Sequence, residues 1–265
     1  MGFIGLGAGI LYAFWIDQPQ AYIAYDVISP NPKDTSHAPK TAPVKLAVIF
    51  MPSASEHSEV DEALKQLPIH YAILPNQKVA NQIPPGFSIR AIPMEPFGYP
   101  SEDPGPDPLM TGIPPEKNLE RFHRHVHTLP TSYLIPYMGE RFMASKQDLD
   151  PFLKALSSLK YTFLCPPGDA KFFHACKAHN VSAIQVDFQF VLPHSYKDVR
   201  ASLAALSQLS PGFYSLVLSP HKEHIAALKD GLTRMKTVEV VSFDRFLERN
   251  QQNKSGRHVF RSTKS

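Results

Sequence analysis

Glu95, Asp187 and His221 stand where a side chain could move protons, each just after an apolar run in the 265-residue chain. Glu95 lies between Met94 and Pro96, where a carboxylate could act as a general base. Asp187 follows Ser182–Val186 and suits a pocket role. His221, after Ser219-Pro220, carries an imidazole that titrates near neutrality and suits an acid/base role. Plainer roles stand beside these: a loop carboxylate accepting backbone N–H bonds for Glu95, a loop histidine for His221. His123, His125 and His127 raise a metal question, because His123 and His127 at i, i+4 share a helix face. No third ligand accompanies them, and Arg121 and Arg124 would repel a cation, so the reading is a solvated helix face. Ser132 and Ser195 lack the setting of an activated nucleophile, and no glycine-rich phosphate loop follows a strand. Cys165 and Cys176 are compatible with a disulfide or with two buried thiols.

These side chains need elements to hold them. Lys45–Phe50, His70–Leu74, Ser88–Ile92, Tyr133–Pro136, Tyr161–Leu164, Ser182–Val186, Tyr214–Leu218 and Val238–Val241 read as short strands, the first of them apolar at nearly every position, as in a parallel sheet covered on both faces. Helical periodicity occupies Ser55–Leu67, Gln77–Gln82, Glu116–Thr128, Lys146–Leu159, Ala170–His179, Ser195–Leu209 and Glu223–Met235, with Phe243–Arg249 closing the domain. The alternation predicts an α/β fold on a parallel sheet, closed or nearly closed, of about seven strand–helix units. Chemistry in such folds lies at the C-terminal ends of the strands. Met94–Pro115 is a long loop rich in proline and glycine, and a loop of that length in a compact domain points to function.

Composition narrows the classes. Apolar residues make up 43% and charged residues 19%, which is globular rather than disordered, while 26 prolines imply many stiff connections. The formal net charge of +3, without a basic stripe interleaved with aromatics, argues against nucleic acid as a partner. Residues 1–27 open with the apolar run Gly2–Ile16, shorter than the ~20 residues of a comfortable membrane span. Residues 28–44 form a proline-rich polar linker. Together they suggest a membrane-tethered, periplasmic or otherwise extracytoplasmic domain over residues 45–249, with a buried first helix as the alternative for the apolar run. Residues 250–265 read as a basic, disordered tail.

Four segments at strand ends carry a resemblance. Ile73-Leu-Pro-Asn76, Ile92-Pro-Met-Glu-Pro96, Asp103–Gly112 and Tyr137-Met-Gly-Glu-Arg-Phe142 resemble, in order, motifs of the divergent polysaccharide deacetylase family, over about Lys45 to Glu248. The resemblance implies an irregular (β/α) barrel of about seven strands, polysaccharide deacetylase-like, and hydrolysis of N-acetyl groups on carbohydrate assisted by a divalent metal such as zinc, which lowers the pKa of a bound water and polarises the amide. The family's ligand positions align here with Met51, Pro52, Ala91 and Tyr137, and its Asp-Ser with Cys165-Pro166. Such side chains do not replace an Asp/His site, so no metal or other cofactor is expected. Asn76, Tyr137, Glu140 and Arg141 then become candidate substrate contacts, and Glu95, Asp187 and His221 candidate catalytic groups. Tyr137 could stack on a sugar or fill the vacated site, and Glu140 and Arg141 could simply pair with each other. The expectation is a family member of the cell envelope that has lost metal catalysis and binds a carbohydrate or an envelope protein. The alternative is an active carbohydrate deacetylase with a rearranged site.

Overall fold

A strand that is apolar on both sides must be covered on both sides, and Val44–Phe50 is the test case. In the computed structural model, which describes residues 43–51, 64, 66–75, 87–127, 129, 131–167, 169–190, 196–206, 208–235 and 237–248, Leu46, Val48 and Phe50 pack into one helix-covered cluster while Ala47 and Ile49 pack into another on the opposite face. The strands are β1 (Val44–Phe50), β2 (His70–Ile73), β3 (Ser88–Met94), β4 (Tyr133–Met138), β5 (Thr162–Cys165), β6 (Ser182–Gln185), β7 (Phe188–Phe190), β8 (Phe213–Leu218) and β9 (Val238–Val240). Their order is β6-β5-β4-β3-β2-β1-β8-β7, with β9 beside the start of β1, and every pairing is parallel. The eight strands of this path curl into a half-barrel, with β9 added beside β1, so the expected α/β, deacetylase-like fold is the observed one.

Helices α1 (Pro115–His127), α2 (Glu140–Ala144), α3 (Lys146–Leu156), α4 (Ala170–Ala178), α5 (Tyr196–Leu206) and α6 (Lys222–Arg234) occupy the connections between strands. Phe122, Phe152 and Phe172 from α1, α3 and α4 cover β3 to β5, while Val199, Leu203 and Leu228 from α5 and α6 cover β1 and β8. On the other face Ala47, Ile49, Ala72, Ile89, Ile135, Leu164 and Val217 meet one another. A helical stretch over residues 243–248 closes the lower mouth of this face. The Phe243 ring lies 5.5 Å from Tyr133 and 5.8 Å from His70, the first residues of β4 and β2.

Three departures from the sequence reading matter. First, β3 runs through Pro93 to Met94 and β4 through Pro136 to Met138, so the strands reach two residues closer to Glu95 and Arg141 than prolines taken as stops would allow. Second, the short helix α2 and the strand β7 were not expected. Residues 182–190 form one extended path with a break at Val186-Asp187: β6 pairs with β5, and β7 pairs with β8. One stretch of chain therefore lies against both ends of the curled sheet.

Third, the segment after β3 is fastened rather than structureless. Leu109 N donates to Pro93 O and Glu95 N donates to Leu109 O, both at 2.9 Å. The buried Asn118 amide donates to Met110 O (2.9 Å) and accepts from Met110 N (3.0 Å), mimicking a missing strand partner. Asp107 is held by Arg121 and Arg124, and His125 Nε2 donates to its carbonyl at 2.8 Å. His125 thus faces the loop, and burial, as the largest cause, lowers its pKa. Residues 1–27 and 250–265, the linker up to Ala42 and the expected helices at Ser55–Leu67 and Gln77–Gln82, apart from Leu64, Gln66 and Leu67, lie outside the described residues. Among those described, no helix is long and apolar enough to cross a membrane.

Candidate functional site

The ends of β3 and β4 meet at a glycine. Met94 is paired with Met138, and Gly139 follows with φ +99°, a conformation side chains rarely adopt. A β-carbon there would come within 2.6 Å of Met94 Cβ. Gly139 is therefore what lets the chain turn into α2 against β3, and it links the Pro-Met-Glu-Pro segment to the Tyr-Met-Gly-Glu-Arg-Phe segment.

That contact places Glu95 beside Arg141. Glu95 is 3% exposed. Its Oε2 accepts from Thr111 N and Thr111 Oγ1, both at 2.7 Å, and Oε1 lies 3.1 Å from Arg141 Nη1. Phe142 N donates to the Glu95 carbonyl at 3.2 Å. A buried carboxylate with a cation and two donors is well compensated, and it ties the Asp103–Gly112 segment to α2. Glu140 precedes Arg141 in the chain, and Arg141 pairs with Glu95. Burial of its carboxyl pushes its pKa up, with Glu102 and Asp169 adding repulsion. The residue as a whole is exposed, so solvent screens that repulsion.

Met51, Ala91 and Tyr137, which the resemblance set at ligand positions, share one environment. Met51 and Ala91 are buried in the apolar cluster on the concave face of the sheet, and Tyr137 packs against it with Leu74 and Val186. Pro52 lies outside the described residues. A thioether, a methyl group and a phenol among aliphatic side chains do not fit a hard or borderline divalent cation. Among the described residues no group of three His, Cys, Asp or Glu side chains is placed to hold a metal ion.

Asp187 sits at the break between β6 and β7. Its N–H donates to Ser215 Oγ (3.0 Å), and its Oδ2 accepts from Ser215 N and Ser215 Oγ, both at 2.8 Å. Ser215 is fully buried on β8. Burial raises the Asp187 pKa, and the two Ser215 bonds oppose the rise. His221 ends the loop after β8 and starts α6, its carbonyl accepting from Ile225 N at 2.9 Å. Its Nδ1 is buried and meets no hydrogen-bond partner among the described residues.

The geometry thus joins Glu95 to Arg141 and sets Tyr137 against the apolar cluster that holds Met51 and Ala91, while Asp187 and His221 are held by β8 and α6. Asn76 lies outside the described residues. Thr111 and Ser215 were not singled out in the sequence, although Ser215 had a signal: a small hydroxyl at an inward position between Phe213 and Val217. Cys165 and Cys176 are free, buried thiols, and a hydrogen bond with the Cys176 thiol, together with burial, pushes the Cys165 pKa up.

A curled parallel sheet with its polar side chains gathered at C-terminal strand ends defines a protein of the (β/α)-barrel class. The pattern described as divergent polysaccharide deacetylase matches residues 31–247, and the chain belongs to that family. In structure it is similar to an uncharacterized protein, ATU2773, from Agrobacterium tumefaciens C58. The TM-score is 0.62 at 22% identity, over 76% of this chain and 88% of that one, a likeness of fold alone. No curated protein matches the chain.

Proposed function

We propose that this chain is a carbohydrate-binding member of the family, working in the cell envelope without metal-assisted hydrolysis. The observation that carries the reading is the packing of Met51, Ala91 and Tyr137 around one apolar cluster. All three side chains belong to or pack against that cluster, and a thioether, a methyl group and a phenol fill space there instead of offering a cation hard or borderline ligands. The rival, an active deacetylase with a rearranged site, needs Glu95, Asp187 and His221 free to act. Glu95 and Asp187 are already committed to Thr111, Arg141 and Ser215. The envelope setting rests on the apolar run 2–16 and the proline-rich residues 28–44.

The test compares the natural protein with a variant carrying Met51→Asp, Pro52→Asp, Ala91→His and Tyr137→His. Zinc binding by calorimetry and acetate release from N-acetylated chito-oligosaccharides are measured on both. The natural protein is expected to bind no stoichiometric zinc and release no acetate, while a folded fourfold variant gains zinc affinity, since three or more ligands then converge. Acetate release by the natural protein, abolished by Glu95→Ala or Asp187→Ala, would establish the rival instead.

A further inference from the structure

Exposed aromatic rings are informative when they gather in one place. Among the described residues Phe97 and Tyr99 are the two large hydrophobic side chains left exposed, at 67% and 38%. They stand in a single turn that begins two residues after Glu95, at the end of β3. Pro96 accepts a backbone bond from Tyr99 (3.4 Å) and Gly98 one from Glu102 (3.1 Å), so the turn is folded on itself.

Between the two rings the chain has no side chain, and Glu102 fills that gap. A β-carbon at Gly98 would lie 2.5 Å from Glu102 Cδ and 2.6 Å from Oε2. The carboxylate therefore lies against Gly98, the residue between Phe97 and Tyr99 in the chain. Its surroundings are acidic: Glu102 and Asp169 both act on the Glu140 carboxyl, and the nearby Arg141 is already paired with Glu95.

We propose that Phe97, Tyr99 and Glu102 form a subsite for an amino-sugar residue bearing a free ammonium group. The apolar face of a saturated ring stacks on an aromatic ring, and an ammonium on that ring is attracted both by the aromatic faces and by the Glu102 carboxylate beside them in the same turn. A neutral N-acetylated sugar offers the face without the charge. The inference rests on the carbohydrate-binding reading and names the sugar class it would take.

The experiment titrates the full chain with glucosamine tetrasaccharide and, separately, with its N-acetylated counterpart, by calorimetry at low salt. Glu102→Gln and Phe97→Ala accompany the natural protein, each checked by thermal melt; both positions are at the surface turn. The expected result is tighter binding of the glucosamine oligomer. Glu102→Gln weakens it about tenfold and leaves the N-acetylated oligomer unchanged, and Phe97→Ala weakens both several-fold. Equal affinities with a silent Glu102→Gln overturn the amino-sugar inference while a persisting Phe97→Ala effect upholds carbohydrate binding. Binding of neither oligomer overturns both.

Discussion

Replacing Asp187 with alanine tests whether this residue serves the sheet rather than a reaction. The chain changes partner here, from β5 to β8, and the Asp187 carboxylate takes the place of a strand carbonyl for Ser215 N. Alanine leaves that N–H unsatisfied on a fully buried residue, at about 1–3 kcal/mol, and removes the hydroxyl's acceptor at about 1 kcal/mol more. The sum is about 3 kcal/mol, or roughly 6–12 °C in Tm for a domain of this size. Asp187→Asn keeps an acceptor oxygen and should stay near the natural stability. The pH dependence separates the two further. A carboxyl whose folded pKa lies above its ordinary value of 3.8 contributes stability that is complete below that value and is lost as pH rises through the folded pKa. The natural protein should therefore lose stability relative to Asp187→Asn just above pH 3.8, and the difference should level off at higher pH. Urea unfolding followed by circular dichroism measures the first effect, and the same titration from pH 3 to 7 the second. Asp187→Ala unfolding within about 0.5 kcal/mol of the natural protein would refute the seam.

Two other substitutions probe how the rim is built. Gly139→Ala places a methyl group 2.6 Å from Met94 Cβ at a positive φ, and should cost about 3 kcal/mol or more in thermal unfolding, with Gly139→Asn no rescue because the clash remains. Asn118→Ala removes both bonds to Met110; limited proteolysis should then cut between Asp103 and Gly112 several times faster, with about 2 kcal/mol lost in unfolding.

Much of the architecture was legible because the sheet is covered on both faces, so β1, β3 and β8 announce themselves as apolar runs. What escaped notice depends on partners distant in sequence. Phe188–Phe190 is three residues long and becomes a strand only because β8 lies beside it. Glu140–Ala144 is too short for a periodic signal, and Gly139 sets its start only through contact with Met94. At the site, the motif order located the β3 and β4 ends, but no local pattern says that Glu95 meets Thr111 and Arg141. Those contacts arise when the loop folds back over the strand end. The exposed rings of Phe97 and Tyr99 were equally silent, since exposure is a property of the finished surface.

The helical stretch 243–248 has a consequence for how the protein is made. Phe243 and Phe246 seal the concave face against residues that start β2 and β4, yet they follow every strand in the order of synthesis. A ribosome delivers the walls long before the floor, and chains begin to fold from the N-terminal side as they emerge. Until the last of these rings arrives, the inner surfaces of the sheet face water. The half-barrel is thus most vulnerable to aggregation late in translation, and its final step joins residues more than a hundred positions apart, the kind of contact that forms slowly.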